Sequence, residues 1–334
     1  MTGSDVITLD AAAVFAHVPW HDAVSALRSA LRRGLDPAGQ PARTAVPTEH
    51  GELLLMPAEH GGMTGVKVLS VAPGNDALGR PRIQATYILM DSETLTPRAL
   101  LDGAALTSIR TPALSAVVVD ALAAPAAHRV VVFGAGPQAE GHVHALLAVR
   151  PLDDIRIVSR SPESSAALVA RLGALGIRAT VGVVGDVPRA DIIVAATSAA
   201  RPLFDGASVR DDAMIVAVGS HHPDRRELDA VLMGRAMVVV EDVPTALREA
   251  GDVIMAIADG ALRADALVPL RDLMTLDGPG PSCRRSGVPV FKSVGQGWQD
   301  LVIAQAAYRA VQPSPGQAPG RGVAVGDPSA VDFG

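Results

Sequence analysis

The first 124 residues alternate between helical and strand-like patterns of apolar positions. Residues 8–34 follow a helical pattern, with Asp22 near the beginning of the stretch DAVSALRSALRRG and Gly34 at its end. Between residues 40 and 100 lie short apolar runs bounded by Gly, Pro and Asn, as strands are: ELLLMPAEH, GVKVLSVAPGN and QATYILMD. Residues 102–124 are again helical and rich in alanine. The pattern therefore predicts a small sheet of its own in this region.

After a break at Pro125, apolar strands alternate with helical segments. The strand-like runs are RVVVFG, DIRIVSR, ADIIVAATS, AMIVAVGS and AMVVVED, and the first three are separated by PQAEGHVHALLAV and SPESSAALVARLGALG. Strands that alternate with helices predict an α/β domain with a parallel sheet and right-handed crossovers. Residues 296–312 return to a helical pattern. The tail from Gln312 to Gly334 is rich in Pro, Gly and Ser, and we expect it to be loose.

Composition and charge narrow the classes of function. The chain has 334 residues, enough for one large or two ordinary domains, and 49% of them are hydrophobic. The formal net charge is −6 with no block of like charges, which argues against nucleic-acid or polybasic membrane partners. The single cysteine, Cys283, excludes an internal disulfide framework. With neither a signal-peptide pattern nor an uninterrupted apolar run of ~18 residues, we expect a cytoplasmic protein.

The stretch VVVFGAGPQA has the features of a loop that binds a dinucleotide between a strand and a helix. Gly134 permits a tight turn, and Gly136 lets the backbone approach a pyrophosphate. Ala139 keeps the helix close to the sheet, while Pro137 suits the first helical turn. The free N–H groups of the helix would then face a phosphate. The alternative is an ordinary tight turn without a ligand.

The end of the next strand bears on which dinucleotide binds. NAD-binding sites usually carry an acid there, about 20 residues beyond the glycines, to hold the ribose hydroxyls. Here the residues are Ser159, Arg160 and Ser161, and the nearest acid is Glu163. An arginine with flanking hydroxyls suits a 2′-phosphate, so we predict a preference for NADP(H), with NAD(H) possible. In the alternative, Arg160 stacks on the adenine or faces solvent.

Three cations lie in otherwise apolar surroundings and suggest an anionic substrate. They are Arg43 in ARTAVPT, Lys67 in GVKVLS and Arg110 in LTSIRT. Any one of them alone is more simply read as a surface charge. Buried cations, however, need anionic partners, and arginine binds a carboxylate through two parallel hydrogen bonds. The three together predict a small carboxylate as substrate.

Six stretches resemble the ornithine cyclodeaminase/μ-crystallin family, and they occur in the family's order over about residues 40–310. They are GVKVLSVAPGN, IQATYILMDSETL, ALLDGAALTSIRT, VVVFGAGPQA, VGSHHPDRRELD and FKSVGQGWQDL. The resemblance implies an N-terminal α/β domain that binds substrate and forms a homodimer, covering residues 1–120 with the helix at about 300–312. Residues 121–299 would form a Rossmann domain, a doubly wound parallel sheet that binds NAD(P). Residues 313–334 would be a loose tail.

The resemblance also assigns roles to individual residues. Arg43 and Arg110 would clamp the substrate carboxylate, Lys67 would polarise or protonate the imine, and Asn75 would help to shape the substrate pocket. Taken together with the glycine loop and the strand that follows it, the expected cofactor-binding residues are Gly134, Gly136, Pro137, Gln138, Ala139, Ser159, Arg160, Ser161, Thr197, Val294 and Gly295. Thr197 would lie near the cofactor, and Val294 and Gly295 near the nicotinamide. No metal site is expected.

Two departures from the family's pattern help to choose among its activities. Where cyclodeaminases carry an acid that binds the distal amine, this chain has Leu54, and where they carry a general-base aspartate it has His221. The PD…REL segment is more similar to the μ-crystallin pattern. Reduction of a cyclic ketimine needs a carboxylate clamp, a proton source and a hydride, but no such base. His221 titrates near neutrality and is a candidate proton donor; in the alternative it only packs or hydrogen-bonds.

These observations predict NAD(P)H-dependent reduction of Δ1-pyrroline-2-carboxylate or Δ1-piperideine-2-carboxylate to L-proline or L-pipecolate. Three alternatives remain open from the sequence. One is an L-amino-acid dehydrogenase, and another is an ornithine or lysine cyclodeaminase, which Leu54 and His221 disfavour. The third is a crystallin-like protein that binds NADPH without turnover. Retention of Arg43, Lys67 and Arg110 argues against the last, because binding NADPH alone would not require them.

Overall fold

The computed structural model describes residues 6–274 and 287–312. Cys283 and the predicted loose tail at 313–334 lie outside the described residues. The N-terminal elements are β1 (Ile7–Leu9), α1 (Ala11–His17), α2 (Trp20–Arg32), β2 (Thr44–Thr48), β3 (Gly51–His60), β4 (Met63–Val71), β5 (Ile83–Asp91), β6 (Pro97–Asp102) and α3 (Gly103–Leu122). They form a six-stranded sheet in the order β1-β6-β5-β4-β3-β2, and the predicted small sheet is confirmed.

The prediction of one helical segment at residues 8–34 was wrong in detail. The segment begins with β1, which pairs in parallel with β6, and its helical part is two helices separated at Val18 and Pro19. Proline disfavours helical geometry in the residue before it, and Val18 has left the helical region, with φ −129° and ψ 77°.

The second sheet has eight strands, and all of its strand pairs are parallel. Its elements, with the C-terminal helix, are β7 (Arg129–Phe133), α4 (Pro137–Leu147), β8 (Asp154–Val158), α5 (Pro162–Ala174), β9 (Thr180–Val181), β10 (Ile192–Ala195), β11 (Met214–Ala217), α6 (Ala230–Gly234), β12 (Ala236–Val240), α7 (Val243–Glu249), α8 (Gly251–Ala258), β13 (Val268–Pro269), α9 (Leu270–Met274), β14 (Val288–Lys292) and α10 (Gly297–Val311). The predicted doubly wound α/β class is confirmed.

The strand order places a ligand crevice. The order is β13-β12-β14-β11-β10-β7-β8-β9, so the chain runs outward from β7 through β8 and returns to the other side of β7 at β10. In such sheets ligands bind beyond the carboxyl ends of the strands where the order reverses. That point lies between β7 and β10, directly after the glycine loop.

The last helix joins the two sheets. α10 follows β14 of the second sheet and packs against α2, α3, β3 and β4 of the first unit. Most of its residues are buried, including the polar Gln299 and Asp300. The side chain of Asp300, which follows the second sheet in the chain, is therefore buried within the first unit.

Helix α3 is the core helix of the first unit. By length and composition it is apolar enough to cross a membrane, but 72% of its most apolar window is buried inside the protein. It also carries Arg110, whose buried side chain points to a polar role at this position. Burial among neighbouring elements is typical of the core helix of a globular domain.

The two faces of the first sheet differ. On one face Met56, Lys67 and Tyr87 lie side by side on β3, β4 and β5 and are buried beneath the helices. Because side chains alternate along a strand, their sequence neighbours lie on the opposite face. That outer face carries polar residues such as Thr64, Ser70 and Gln84 and, between them, an apolar patch of Val46, Leu53, Leu55, Pro57, Val66, Val68, Ile88 and Leu100. These side chains are exposed or only partly buried in the single chain.

Candidate active site

A cleft opens at the carboxyl ends of β7, β8 and β10, where the strand order predicts a ligand. Its volume is about 640 Å³. The glycine loop lines it with Gly134 and Gly136, the segment after β8 lines it with residues 159–161, and Thr197 lines it after β10. The structure therefore brings together most of the residues predicted to hold a dinucleotide.

The glycine loop has the geometry that a pyrophosphate requires. Gly134 has φ +118°, and a Cβ atom there would lie 2.4 Å from the carbonyl oxygen of Ala196. Gly136 faces open space and precedes Pro137, the first residue of α4, with no side chain capping the helix. The free N–H groups of the first turn are thus available to an anion. Ala139 is fully buried against the sheet, as predicted for the third position of the motif.

The residues after β8 support only part of the predicted 2′-phosphate site. Ser159 Oγ donates to the carbonyl oxygen of Ser161 at 2.7 Å, and Ser161 Oγ donates to Glu163 at 2.6 Å. In this conformation each hydroxyl donates its single proton within the protein, and the predicted contacts of the two serines with a phosphate stay predictions. Arg160 is exposed and lines the cleft. The cationic part of the prediction therefore depends on this one arginine.

Lys67 and Arg110 flank a buried carboxylate that the sequence did not reveal as their partner. Lys67 Nζ donates to Asp300 Oδ2 at 2.8 Å, and Arg110 Nε lies 3.5 Å from Asp300 Oδ1. The side chains of Lys67 and Asp300 are fully buried. Within the described chain, Arg110 Nε and Asp300 Oδ1 have no hydrogen-bond partner. Two cations around one carboxylate leave an excess positive charge, which favours the binding of an anion nearby.

Lys67 remains an acid of intermediate strength in this cluster. Burial, together with the charges of Arg110 and Arg43, lowers the pKa of Lys67 to about 8, while Asp300 opposes the shift. At pH 7 the ammonium group is therefore mostly protonated but close to its titration range. Such a pKa suits a group that donates a proton near neutral pH.

A short chain of hydrogen bonds connects Lys67 with the glycine loop. Lys67 Nζ donates to Thr107 Oγ1 at 3.0 Å, and Gln138 Nε2 donates to the carbonyl oxygen of Thr107 at 3.3 Å. Gln138 is the second residue of α4, directly after the loop. The buried cations therefore lie beside the cleft and not elsewhere in the first unit.

Arg43 lies in a second cavity, of about 780 Å³, between the two units. Its guanidinium pairs with Glu249, which in turn accepts hydrogen bonds from Arg248. Hydrogen bonds from Arg43 and Arg248 hold the pKa of Glu249 below its usual value, although burial acts in the opposite direction. Neither Lys67 nor Arg110 lines this cavity.

One turn separates Arg43 from Arg110. Arg43 Nη2 donates to the carbonyl oxygen of Val294 at 3.4 Å. Gly295 has φ +79°, and a Cβ atom there would lie 2.3 Å from Arg110 Nη1. The carboxylate of Glu241 accepts the N–H groups of both residues of the turn, at 3.2 and 3.0 Å. Val294 and Gly295 thus form a rigid turn between the two arginines, and their predicted place near the nicotinamide stays a prediction.

His221 lies at the second cavity with Arg43, but its imidazole carries no extra proton to donate at pH 7. Although the residue is exposed, desolvation of its ring lowers the pKa of His221 to about 4, assisted by the charges of His222 and Arg43. The imidazole is therefore neutral at pH 7. It is a poorer proton donor than Lys67 at that pH, and its catalytic role stays a prediction.

Asn75 and Leu54 differ in how they relate to this cavity. Asn75 Nδ2 donates to the carbonyl oxygen of Pro81 at 2.9 Å and does not line the cavity. Its hydrogen bond closes a loop whose Pro73 and Arg82 do line the cavity, and the predicted role of Asn75 in shaping the substrate pocket stays a prediction. Leu54 does line the cavity, so the position where cyclodeaminases carry an acid is apolar here.

Sequence reasoning missed the carboxylates that organise the site. Asp300 lies in the quoted stretch FKSVGQGWQDL, yet an acid inside an otherwise apolar helix was the only signal of its role. Glu241 ends the strand AMVVVED, and Glu249 ends α7, with no local feature that marks either as a partner of an arginine. In the described ranges, 6–274 and 287–312, no group of three or more His, Cys, Asp or Glu side chains has the arrangement of a metal site.

The chain matches a known protein family and several characterised proteins. Residues 5–314 match the ornithine cyclodeaminase/mu-crystallin family. The chain is 32% identical over 293 residues to a Delta(1)-pyrroline-2-carboxylate reductase of Paracoccus denitrificans, covering 85% of this chain and 90% of the relative. It is 33% identical over 274 residues to a Delta(1)-pyrroline-2-carboxylate/Delta(1)-piperideine-2-carboxylate reductase of Azospirillum brasilense, covering 81% and 85%.

The fold is also similar to that of a solved enzyme. The Delta(1)-pyrroline-2-carboxylate reductase of Thermococcus litoralis, solved with NADH and L-proline, superposes with a TM-score of 0.83 at 26% identity. The match covers 91% of this chain and 97% of that one. The likeness therefore includes both sheets and the last helix.

Replacement of Asp300 tests the cation cluster. We expect Asp300→Asn to lower the free energy of unfolding by about 3–5 kcal/mol, because it leaves Lys67 and Arg110 buried without their carboxylate. Urea unfolding monitored by circular dichroism measures the loss. The matched control is Asp265→Asn, which breaks an exposed pair with Arg263 and should leave the unfolding midpoint unchanged. Equal midpoints for the two variants would contradict the importance of the cluster.

Proposed function

The chain belongs to the ornithine cyclodeaminase/mu-crystallin family, and on that basis we propose that it reduces cyclic α-imino acids with a nicotinamide dinucleotide. The observation that carries this proposal is the group of three cations beside the dinucleotide cleft, two of them bound to one buried carboxylate. The substrates are Δ1-pyrroline-2-carboxylate and Δ1-piperideine-2-carboxylate, and the products are L-proline and L-pipecolate. The enzyme is an oxidoreductase acting on a C=N bond.

The cations divide the work of binding. Arg43 and Arg110 bind the substrate carboxylate from the two sides of the Val294–Gly295 turn. Arg110 Nε faces Asp300 at 3.5 Å and Nη1 donates to Gln299 Oε1 at 2.6 Å, so the remaining N–H groups of the guanidinium would bind the substrate carboxylate. The turn itself is rigid because Glu241 holds its N–H groups. Substrate is thereby fixed beside the cleft that receives the cofactor.

Reduction adds a hydride to the imine carbon and a proton to the ring nitrogen. A dinucleotide held at the glycine loop, by Gly134, Gly136 and the first turn of α4, would supply the hydride. Lys67 supplies the proton, since with a pKa of about 8 it is charged at pH 7, whereas His221, with a pKa of about 4, is neutral. The ammonium group of Lys67 near the nitrogen also polarises the C=N bond, which makes the imine carbon a better hydride acceptor.

The site is poorly equipped for cyclodeamination. That reaction needs a group that binds the distal ammonium of a diamino acid and a base that deprotonates it. Leu54 lines the cavity with an apolar side chain in place of an acid. His221 has a pKa of about 4 and accepts protons weakly at pH 7. The two departures seen in the sequence thus disfavour the same step.

An assay with purified protein tests the proposed function. We expect oxidation of NADPH or NADH on addition of either cyclic imine, followed as loss of reduced-nicotinamide absorbance. Arg110→Met should lower kcat/KM on the order of tenfold to a hundredfold through loss of a charged hydrogen-bond donor. Arg98→Met, which removes a partly exposed arginine of the same unit, is the control and should leave it unchanged. Ammonia release from L-ornithine with NAD, without imine reduction, would overturn the proposal.

For the cofactor, we propose a preference for NADP(H) over NAD(H). Arg160 supports it, because the side chain is exposed, lines the cleft after β8, and has no acidic residue in the place where NAD sites hold the ribose hydroxyls. Glu163, the nearest acid, accepts a hydrogen bond from Ser161, which holds the pKa of Glu163 below its usual value. The preference therefore depends on a single cation.

Comparison of the two cofactors tests that preference. We expect a lower KM for NADPH than for NADH, and Arg160→Ala should raise the KM for NADPH on the order of tenfold while leaving that for NADH unchanged. The control is Arg178→Ala, an exposed arginine of the same domain that does not line the cleft. A lower KM for NADH in the wild-type enzyme would refute the preference.

We propose further that the chain forms a homodimer through the first sheet. Its outer face presents adjacent apolar side chains from β3, β4 and β5, such as Leu55, Val66 and Ile88. Contiguous apolar surface of this kind marks an interaction site, and a second copy of the same surface satisfies two-fold symmetry. In such a dimer the outer faces of the two first sheets would pack against each other, and these apolar side chains would be buried between them.

Light scattering coupled to size exclusion tests the dimer. The wild-type protein should elute with twice the chain mass of 34.3 kDa. Val66→Glu should shift it to the monomer, since a charge buried in an apolar interface lacks a partner. Val231→Glu changes an exposed valine of α6 in the other domain and should stay dimeric. A monomeric wild-type protein, or a dimeric Val66→Glu variant, would contradict the interface.

A further inference from the structure

A second cluster of buried charges lies in the other domain and takes no part in the mechanism described above. Glu227, Asp252 and Lys292 are each at most 1% exposed. Lys292 ends β14, Asp252 lies in the first turn of α8, and Glu227 lies between β11 and α6. Full burial of three charged side chains is costly, so their hydrogen bonds must compensate.

Two members of the cluster fix the segment that carries His221. Lys292 Nζ lies 2.9 Å from Asp252 Oδ2 and donates to the carbonyl oxygen of Ser220 at 2.6 Å. Asp252 Oδ1 accepts the N–H groups of Glu227 and Leu228 at 2.7 and 2.9 Å. The segment from Ser220 to Leu228 is thereby anchored at both ends.

Glu227 joins the two cavities of the site. Its Oε1 accepts the N–H and hydroxyl groups of Thr197 at 2.8 and 2.7 Å, and its Oε2 accepts the N–H of Gly219 at 2.7 Å. Thr197 lines the dinucleotide cleft, and Gly219 lines the cavity that contains Arg43. One carboxylate thus connects the carboxyl ends of β10 and β11.

The fit between these two loops leaves no room for adjustment. A Cβ atom at Gly219 would lie 2.0 Å from the carbonyl oxygen of Thr197 and 2.5 Å from Glu227 Oε1. The N–H groups of Thr197 and Gly219 can only donate, so the two oxygens of Glu227 must both act as acceptors towards the backbone. Burial raises the pKa of Glu227, while the charge of Lys292 and the donors of Thr197 oppose that shift.

We propose that Glu227 is a positioning residue for the nicotinamide dinucleotide, holding the loops after β10 and β11 at the spacing that the bound cofactor requires. It acts through Thr197 and Gly219 and does not touch the reacting atoms. The inference rests on the proposed function only in assuming that a nicotinamide dinucleotide occupies the cleft. It makes cofactor affinity, and not fold stability alone, depend on this carboxylate.

Replacement of the carboxylate by an amide tests this role. In Glu227→Gln one side-chain atom is an NH2 group, which must face the N–H of either Thr197 or Gly219, so one loop is displaced. We expect the Kd of NADPH, measured by its fluorescence with no substrate present, to rise about tenfold or more. Glu227→Asp keeps the charge but is one methylene shorter, and its Kd should lie between those of the wild type and the amide.

The matched control, Asp191, lies in the same domain at the amino ends of the strands, opposite the carboxyl ends where the cleft opens. Asp191 is also a buried carboxylate, and it accepts the N–H groups of His128 and Arg129 and pairs with the Arg129 side chain at the amino ends of the strands. Asp191→Asn should lower the Tm but leave the Kd of NADPH within twofold of the wild-type value. Stability loss alone therefore cannot imitate the expected result.

The outcomes separate this inference from the proposed function. A Kd for Glu227→Gln within twofold of wild type would overturn the positioning role, as would a rise no larger than that of Asp191→Asn. If Glu227→Gln does not fold, an unchanged Kd in Glu227→Asp overturns it equally. A wild-type protein that binds NADPH but reduces no cyclic imine refutes the proposed function. The Kd values of the Glu227 variants for NADPH would still test the positioning role in that case.

Discussion

The carboxylate of Asp300 is the constraint on which the site depends. It lies in the core with no solvent exposure and neutralises Lys67 while lying beside Arg110. Without it, two cations would be buried unpaired, and desolvation would drive the proton from Lys67. Because Asp300 belongs to α10, which follows the second sheet in the chain and packs against the first unit, the cluster forms only when this last helix is in place.

The same charges account for the choice of ligand. One carboxylate between two cations leaves a net positive charge, and Arg43 adds another whose partner, Glu249, is shared with Arg248. An anionic substrate therefore completes the site, while a neutral one would leave the cations uncompensated. The hydrogen bonds from Lys67 to Thr107 and from Gln138 to Thr107 place this charge beside the glycine loop. The group that binds the substrate carboxylate and the cleft that binds the dinucleotide are thus neighbours at the contact between the two units.

Local signals in the sequence were enough for the elements and for one side of each interaction. The glycine loop and the three cations were predicted, because turn chemistry and isolated charges in apolar runs are visible in short stretches. Asp300 and Glu241 were not, since partners distant in sequence are chosen by packing. Strand β14 was missed because Pro289 argues against a central strand; its neighbour β11 pairs only from Val290 onward. The local acceptors of the hydroxyls of residues 159 and 161 could not be predicted either, because they depend on the geometry of the loop.

The pH dependence of kcat/KM for a cyclic imine tests the central claim, that Lys67 held by Asp300 donates the proton. The protonated form of Lys67 is present below its pKa of about 8 and is lost above it. The wild-type rate should therefore fall as pH rises through about 8. Lys67→Met should lose on the order of a hundredfold or more in rate and show no such fall. An unchanged fall near pH 8 in Lys67→Met would contradict the account.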